Sequence, residues 1–202
     1  MKILFATNNP AKIRYYGEKL KKQGLEIMTP ADLQLSAKVI ENGKTPVENA
    51  MIKAQAFYQL SHLVTLAMDD GLYFDQLDEH LQPGTHVRRI NGKRLNDREM
   101  IHYYTSLVSQ YGTNGYLEGY FLKGTAIVYD NQIFTHSCKL PRRFSNRASK
   151  VIDTGYPLAS IQIIPGIEKF KSEMTEQEEA MTMDIEQQEI FQFLFETLNQ
   201  LK

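Results

Sequence analysis

Short apolar runs alternate along the chain with longer stretches in which apolar residues recur every three or four positions, and that alternation predicts the elements. Ile3-Leu4-Phe5-Ala6 is an apolar run that stops at Thr7-Asn8-Asn9. Pro10 then opens a helical pattern to about Gln23, with Tyr16 and Leu20 on one face and Lys19, Lys21 and Lys22 near its negative C-terminal end. Residues 25–28 read as a second strand. Residues 30–44 read as a loop with one short element around 37–41. Thr45-Pro46-Val47-Glu48 combines an N-cap, a first-turn proline and a capping-box glutamate, which predicts a helix to about His62. Residues 63–68 form a continuous apolar run of the kind buried on both faces of a sheet. Asp69-Asp70-Gly71 breaks that strand, and extended structure resumes over 72–77.

The second half follows the same logic. Residues 78–95 read as irregular. Asn96 and Glu99 cap a helix to about Gln110, ended by the Gly112 and Gly115 region. Residues 116–129 and 132–140 form a hairpin about Asp130-Asn131. Residues 141–150 read as a polar, basic connection, 158–164 as a strand, and Thr175 with Glu178 caps a last helix over 176–201. The order predicts an α/β fold: a long, mixed, bent β-sheet flanked by helices, with two lobes and a central groove, in a single domain spanning 1–202.

Composition narrows the function classes. A net charge of -1 supplies no basic field for nucleic acid. The single cysteine, Cys138, excludes an internal disulfide and fits a reducing compartment. No signal peptide or bilayer-spanning run is expected, so the reading is a soluble cytoplasmic protein without a membrane partner. The histidines show no His-x-x-x-His pattern and there is no Cys-x-x-Cys, so spacing gives no support to a zinc site. Walker A, Gly-x-Gly-x-x-Gly and nucleophile-elbow motifs are absent.

Four places remain for chemistry. The exposed amides of a helix start after Asn9, with Lys12 one turn in, suit a phosphate, although taken alone they read as an ordinary capped helix with a solvated lysine. Asp69 and Asp70 sit where a central strand ends, able to bind magnesium or orient a water, or simply to make a turn. As neighbours they point to different sides. Glu48 caps its helix and also leaves a carboxylate near the helix mouth, with Asn49 and Lys53 on neighbouring turns. Arg142, Arg143, Arg147 and Lys150 form a basic segment that reads as a solvated loop by default, or as a contact for phosphates or RNA.

Four segments, taken in order, resemble the inosine triphosphate pyrophosphatase family, which hydrolyses nonstandard purine nucleoside triphosphates. Ala6-Thr7-Asn8-Asn9-Pro10-Ala11-Lys12 resembles its phosphate loop, and Glu41-Asn42-Gly43-Lys44-Thr45-Pro46-Val47-Glu48-Asn49-Ala50 with Lys53 and Ala54 its capped helix. Ala67-Met68-Asp69-Asp70-Gly71-Leu72 resembles its acidic strand, and Pro83-Gly84 with Arg89 and Gly92 a further signature. The resemblance implies Mg2+ held by Glu48 and Asp69, and Asp69 as general base. It implies substrate contacts from Thr7, Asn8, Asn9, Lys12, Lys53, Asp70, Gly155 and Tyr156, and a homodimer. The implied reaction releases pyrophosphate and a nucleoside monophosphate. Asp70 falls where the family has a serine, and Met68 replaces its first aspartate. The family's Tyr-Asp-Pro is reduced to Tyr156-Pro157. Its Ser-His-Arg is matched only by Met183-Asp184-Ile185, with no His or Arg after Arg147. The expectation is therefore a pyrophosphohydrolase with atypical base specificity; the alternative is a degenerate binder of nucleotide or phosphate that does not hydrolyse it.

Overall fold

The computed structural model describes residues 1–201, without the side chains of Ala11 and Met183, Asp184, Ile185 and Glu186, so the segment set against the family's Ser-His-Arg lies outside the described side chains. The first strand, β1 (Lys2–Phe5), leads to a helix of three pieces: α1 (Pro10–Lys12), a wider π segment (Ile13–Gly17) and α2 (Glu18–Lys22). Then come β2 (Glu26–Met28), α3 (Pro46–Ser61), β3 (Val64–Phe74), β4 (Arg89–Ile90), β5 (Lys93–Arg94), α4 (Asp97–Tyr111), β6 (Tyr116–Tyr129), β7 (Gln132–Ser145), β8 (Gln162–Ile163) and α5 (Glu176–Gln200). Six strands form one mixed sheet in the order β2-β1-β3-β6-β7-β8, and β4 pairs with β5 separately. β1 is parallel to β2 and to β3, whereas β8 runs antiparallel to β7. This is the mixed α/β class expected from the element order.

The chain divides into two compact units. The first comprises Met1–Asp70, Lys123–Cys138 and Glu189–Lys202; the second comprises Gly71–Leu122 and Lys139–Gln188. The first packs α3 through Ala50, Ala54 and Phe57 against Leu4, Ala67, Ala126 and Val128 of the strands. The second gathers Leu72, Phe74, Met100, Tyr104, Val108, Leu117, Phe144 and Ile161. Buried apolar area of this kind supplies most of the driving force for folding.

Several local expectations are corrected. Asp69-Asp70-Gly71 does not break the strand, because β3 runs on to Phe74. Its place in the sheet between β1 and β6 overrides the turn preference of those residues. Residues 37–41 form no element. The irregular 78–95 stretch contains a 3-10 turn at Glu79–Leu81 and the β4–β5 hairpin. Asn91 and Gly92 have φ of 49° and 77° there, the left-handed pair that a tight hairpin turn requires. The expected 158–164 strand begins as a 3-10 turn, Pro157–Ser160, in which the Ser160 hydroxyl donates to the Pro157 carbonyl at 2.7 Å.

The basic 141–150 segment is only partly a loop. Residues 141–145 belong to β7, and Phe144 is wholly buried. Arg142 is buried and donates to Gln162 Oε1 at 3.3 Å. Arg143 donates to Glu118 at 2.7 Å and to Glu168 at 3.0 Å. Pairing with β8 draws these residues into the sheet, and the arginines bind carboxylates and amides of the same unit.

Candidate active site

Strand alternation builds the site. Successive side chains of β3 face opposite sides of the sheet. Ala67 packs in the α3 cluster, so Asp69, two residues on, also faces α3 and Asp70 faces the other side. In β6, Gly124 lies against the α3 start, so Lys123 shares the side of Asp70. The two aspartates therefore have separate partners, as adjacency in the sequence requires.

On the α3 side, Thr45 caps the helix by accepting from Glu48 N–H at 3.2 Å. A cap of this kind contributes about 1 kcal/mol. The Glu48 carboxylate accepts from Lys44 N–H at 2.6 Å. Asn49 is almost fully buried; its Oδ1 accepts from Gly43 N–H at 2.8 Å and its Nδ2 donates to Asp69 Oδ2 at 2.9 Å. A Cβ on Gly43 would stand 2.6 Å from Glu48 Cβ, so the close approach of that loop to α3 requires glycine. Burial pushes the Asp69 carboxyl above the usual carboxylate range, against the opposing pull of the Asn49 hydrogen bond, Lys12 and Lys53. Lys53 pairs with Glu41 at 3.1 Å.

On the other side, β1 pairs with β3 only as far as Phe5 and Leu66, and β3 continues past it. Lys12 reaches that continuation, donating to the Met68 carbonyl at 2.9 Å and pairing with Asp70 Oδ2 at 2.9 Å. Lys123 pairs with Asp70 Oδ1 at 2.7 Å. Burial would raise the Asp70 carboxyl, but the two lysines and their hydrogen bonds hold it well below the usual range. A carboxylate with a depressed folded-state pKa stabilises the fold above its unfolded pKa of about 3.9 and loses that contribution as pH falls below it. Asp70→Asn should therefore lower stability at neutral pH, and its gap to the parent should close below about pH 4. Urea midpoints measured across pH check this; a gap that widens in acid would contradict it.

The loop between β1 and α1 completes the group. Asn9 N–H donates to Thr7 Oγ1 at 3.1 Å, and the Asn9 carbonyl accepts the first intrahelical bond from Ile13 at 3.1 Å, which is the N-cap position. Thr7 and Asn8 line a cavity of about 260 Å³ together with Glu41, Lys53, Val39 and Phe57. Thr7, Asn8, Asn9, Lys12, Glu48, Lys53, Asp69 and Asp70 thus all lie in the first unit. Gly155 and Tyr156 belong to the second unit. There Gly155 N–H donates to Asp97 at 2.7 Å, its carbonyl accepts from Arg88 at 3.1 Å, and Tyr156 is exposed.

The sequence pattern assigns no role to Lys123, Asn49 or Glu41. Nothing local marks Lys123, which reads as one polar residue in a strand; only the sheet places it against Asp70. Asn49 lies in the recognised helix segment, and its signal was its position beside Glu48. Among the described residues, Lys12, Lys53 and Glu41 act electrostatically on Asp69, Lys12 and Lys123 pair with Asp70, and Lys53 pairs with Glu41. An anionic ligand in such surroundings needs additional positive charge, and an oxygen-donor set of this kind fits a hard divalent cation.

Fold and site together define a mixed α/β protein with a strand-borne pair of aspartates, each held by its own polar partners. The chain belongs to the Ham1 family, whose sequence profile matches residues 3–136. It is 35% identical over 95 residues to a dITP/XTP pyrophosphatase of Leptospira interrogans, covering 47% of each chain. It is 42% identical over 98 residues to a dITP/XTP pyrophosphatase of Lactobacillus acidophilus, covering 48% of each. The matched stretch spans about half the length of these curated relatives. A HAM1 protein from Coxiella burnetii shares the fold with a TM-score of 0.77 at 19% identity, over 95% of this chain and 99% of that one. A nucleoside-triphosphatase from Mycobacterium abscessus does so with a TM-score of 0.70 at 22% identity, over 90% and 93%.

Proposed function

We propose that this chain is a nucleoside triphosphate pyrophosphohydrolase that requires Mg2+ and releases pyrophosphate and a nucleoside monophosphate. The observation that carries the reading is Asp69: a carboxylate raised by burial, aimed by a buried Asn49, beside Lys12 and Lys53 in a Ham1-family chain. Its relatives named dITP/XTP pyrophosphatase match the half of the chain that contains this group. Thr7, Asn8, Asn9 and Lys12 bind the triphosphate, and Lys53 neutralises a further phosphate oxygen. Asp69 takes the proton of the attacking water as the water oxygen bonds to the α-phosphorus. The bond from that phosphorus to the bridging oxygen breaks, and pyrophosphate leaves. Glu48 and Asp69 would hold the Mg2+, which when bound supplies positive charge against the phosphate oxygens. Substrate contacts by Gly155 and Tyr156 rest on the resemblance alone, as does the homodimer, and both are part of the same proposal.

Asp70 supports a reading of altered specificity rather than lost chemistry. A bare carboxylate would repel a phosphate, but Lys12 and Lys123 compensate its charge. No His or Arg follows Arg147, so the base must be read by other donors than imidazole or guanidinium groups of that segment. Pyrophosphate release with Mg2+ across standard and deaminated nucleoside triphosphates tests the proposal. Release with a matching monophosphate product supports it, and the best substrate defines the base preference. Absence of release from every nucleotide, in folded protein that still binds them, favours the non-hydrolysing binder.

A further inference from the structure

A second cluster lies in the first unit and shares no residue with the group around Asp69. His136 and Cys138 are two apart in β7, so both side chains stand on one face of the strand. Glu189 comes to the same place from α5, and one ligand atom from each of the three lies within 4.8 Å of the others. Phe193, one helical turn beyond Glu189, stacks on the His136 ring with centroids 5.3 Å apart and planes 19° from parallel, which fixes the imidazole plane. His136 Nε2 is buried and has no hydrogen-bond partner; the nearest carboxylate oxygen, Glu189 Oε2, is 4.0 Å away. An orphaned buried ring nitrogen is costly unless something occupies the space it faces.

We propose that His136, Cys138 and Glu189 form a Zn2+ site. The donors are an imidazole nitrogen, a thiol sulfur and a carboxylate oxygen, the mixture that a borderline-soft tetrahedral ion takes and that Mg2+ does not. Metal–ligand bonds of about 2.0–2.3 Å set tetrahedral ligand atoms roughly 3.3–3.8 Å apart, so side-chain shifts of about 1 Å close the present arrangement onto an ion. Cys138 is buried and binds as the thiolate, releasing its proton to solvent. Glu189 is 72% exposed, which leaves the entry side and the fourth position open to water. Spacing along the chain could not disclose this set, because the third ligand comes from a helix more than fifty residues away.

Equilibrium dialysis of chelator-treated full chain against Zn2+, with Co2+ as a spectroscopic probe, tests the site. The expected result is one Zn2+ per chain, a cobalt–thiolate charge-transfer band, and a thermal midpoint raised by Zn2+. Affinity should fall at least about 10-fold in His136→Gln and in Glu189→Gln, the scale found even for groups that only orient metal ligands. The charge-transfer band should vanish in Cys138→Ser. Glu189 is exposed, so its variant keeps the test valid if the buried cysteine variant fails to fold. The proposal is overturned by absence of stoichiometric Zn2+ in the parent, or by unchanged affinity in both the His136 and Glu189 variants.

Discussion

Asp69→Asn is expected to remove nucleotide hydrolysis and, in the ligand-free protein, to raise thermal stability. The first effect follows from the proposed role: a positioned general base contributes about 10²–10⁴-fold, and asparagine cannot accept the water proton. The second follows from burial. The folded-state pKa of Asp69 is raised, so the ionised side chain is less favourable in the fold than in the unfolded chain. That penalty is present above the raised pKa and disappears as pH falls through it. Asparagine removes the charge and still accepts from Asn49 Nδ2 through its own carbonyl. Turnover and thermal midpoint measured together at neutral pH check both effects. Activity within a few-fold of the parent would remove Asp69 from the reaction, whereas lost activity with a lowered midpoint would make it a structural residue instead.

Gly124→Ala should be among the most damaging single substitutions in the first unit. A Cβ there would lie 2.3 Å from the backbone carbon of Pro46 and 2.3 Å from the amide nitrogen of Val47. Both contacts are with backbone, so no side chain can rotate away, and the start of α3 must move off the sheet. Overpacking of this kind costs about 3 kcal/mol. For a chain of this size that corresponds to a fall of about 6–12 °C in thermal midpoint. The same displacement carries Asn49 away from Asp69, so activity should fall in whatever fraction remains folded. Gly17→Ala serves as the control, since its added Cβ meets only side-chain atoms at 3.7–3.9 Å. Equal midpoints for Gly124→Ala and the parent would show that the helix start is not held where the sheet places it.

Both experiments concern a site whose parts are unequally visible in the chain. The elements on either side of it follow from local chemistry. Thr45 and Pro46 set the start of α3 through local capping, although the expected capping box does not close, because the Glu48 carboxylate accepts from Lys44 N–H instead of from Thr45 N–H. The Asn96–Glu99 capping box begins α4 as expected, and Asp130 and Asn131 adopt the paired positive φ of a tight hairpin. Asp69, Glu48, Lys12 and Lys53 could be picked out because the segments that hold them keep a fixed internal spacing.

Where local preference and the sheet disagree, the sheet prevails. Asp69-Asp70-Gly71 has turn chemistry yet continues β3, and the Pro141–Arg142–Arg143 stretch has loop chemistry yet extends β7, because neighbouring strands offer backbone partners there. Local order along the chain sets where helices begin, which strands are apolar, that the chain is α/β, and which carboxylates and lysines are candidates for chemistry. Tertiary structure alone decided that Lys123 meets Asp70, that Asn49 aims Asp69, and that His136 and Cys138 find Glu189. Caps, turns and periodicity act over three or four neighbouring residues and leave their mark in local order. Charge compensation and ligand sets depend on which strands and helices become neighbours, and that is settled only when the apolar faces are buried together.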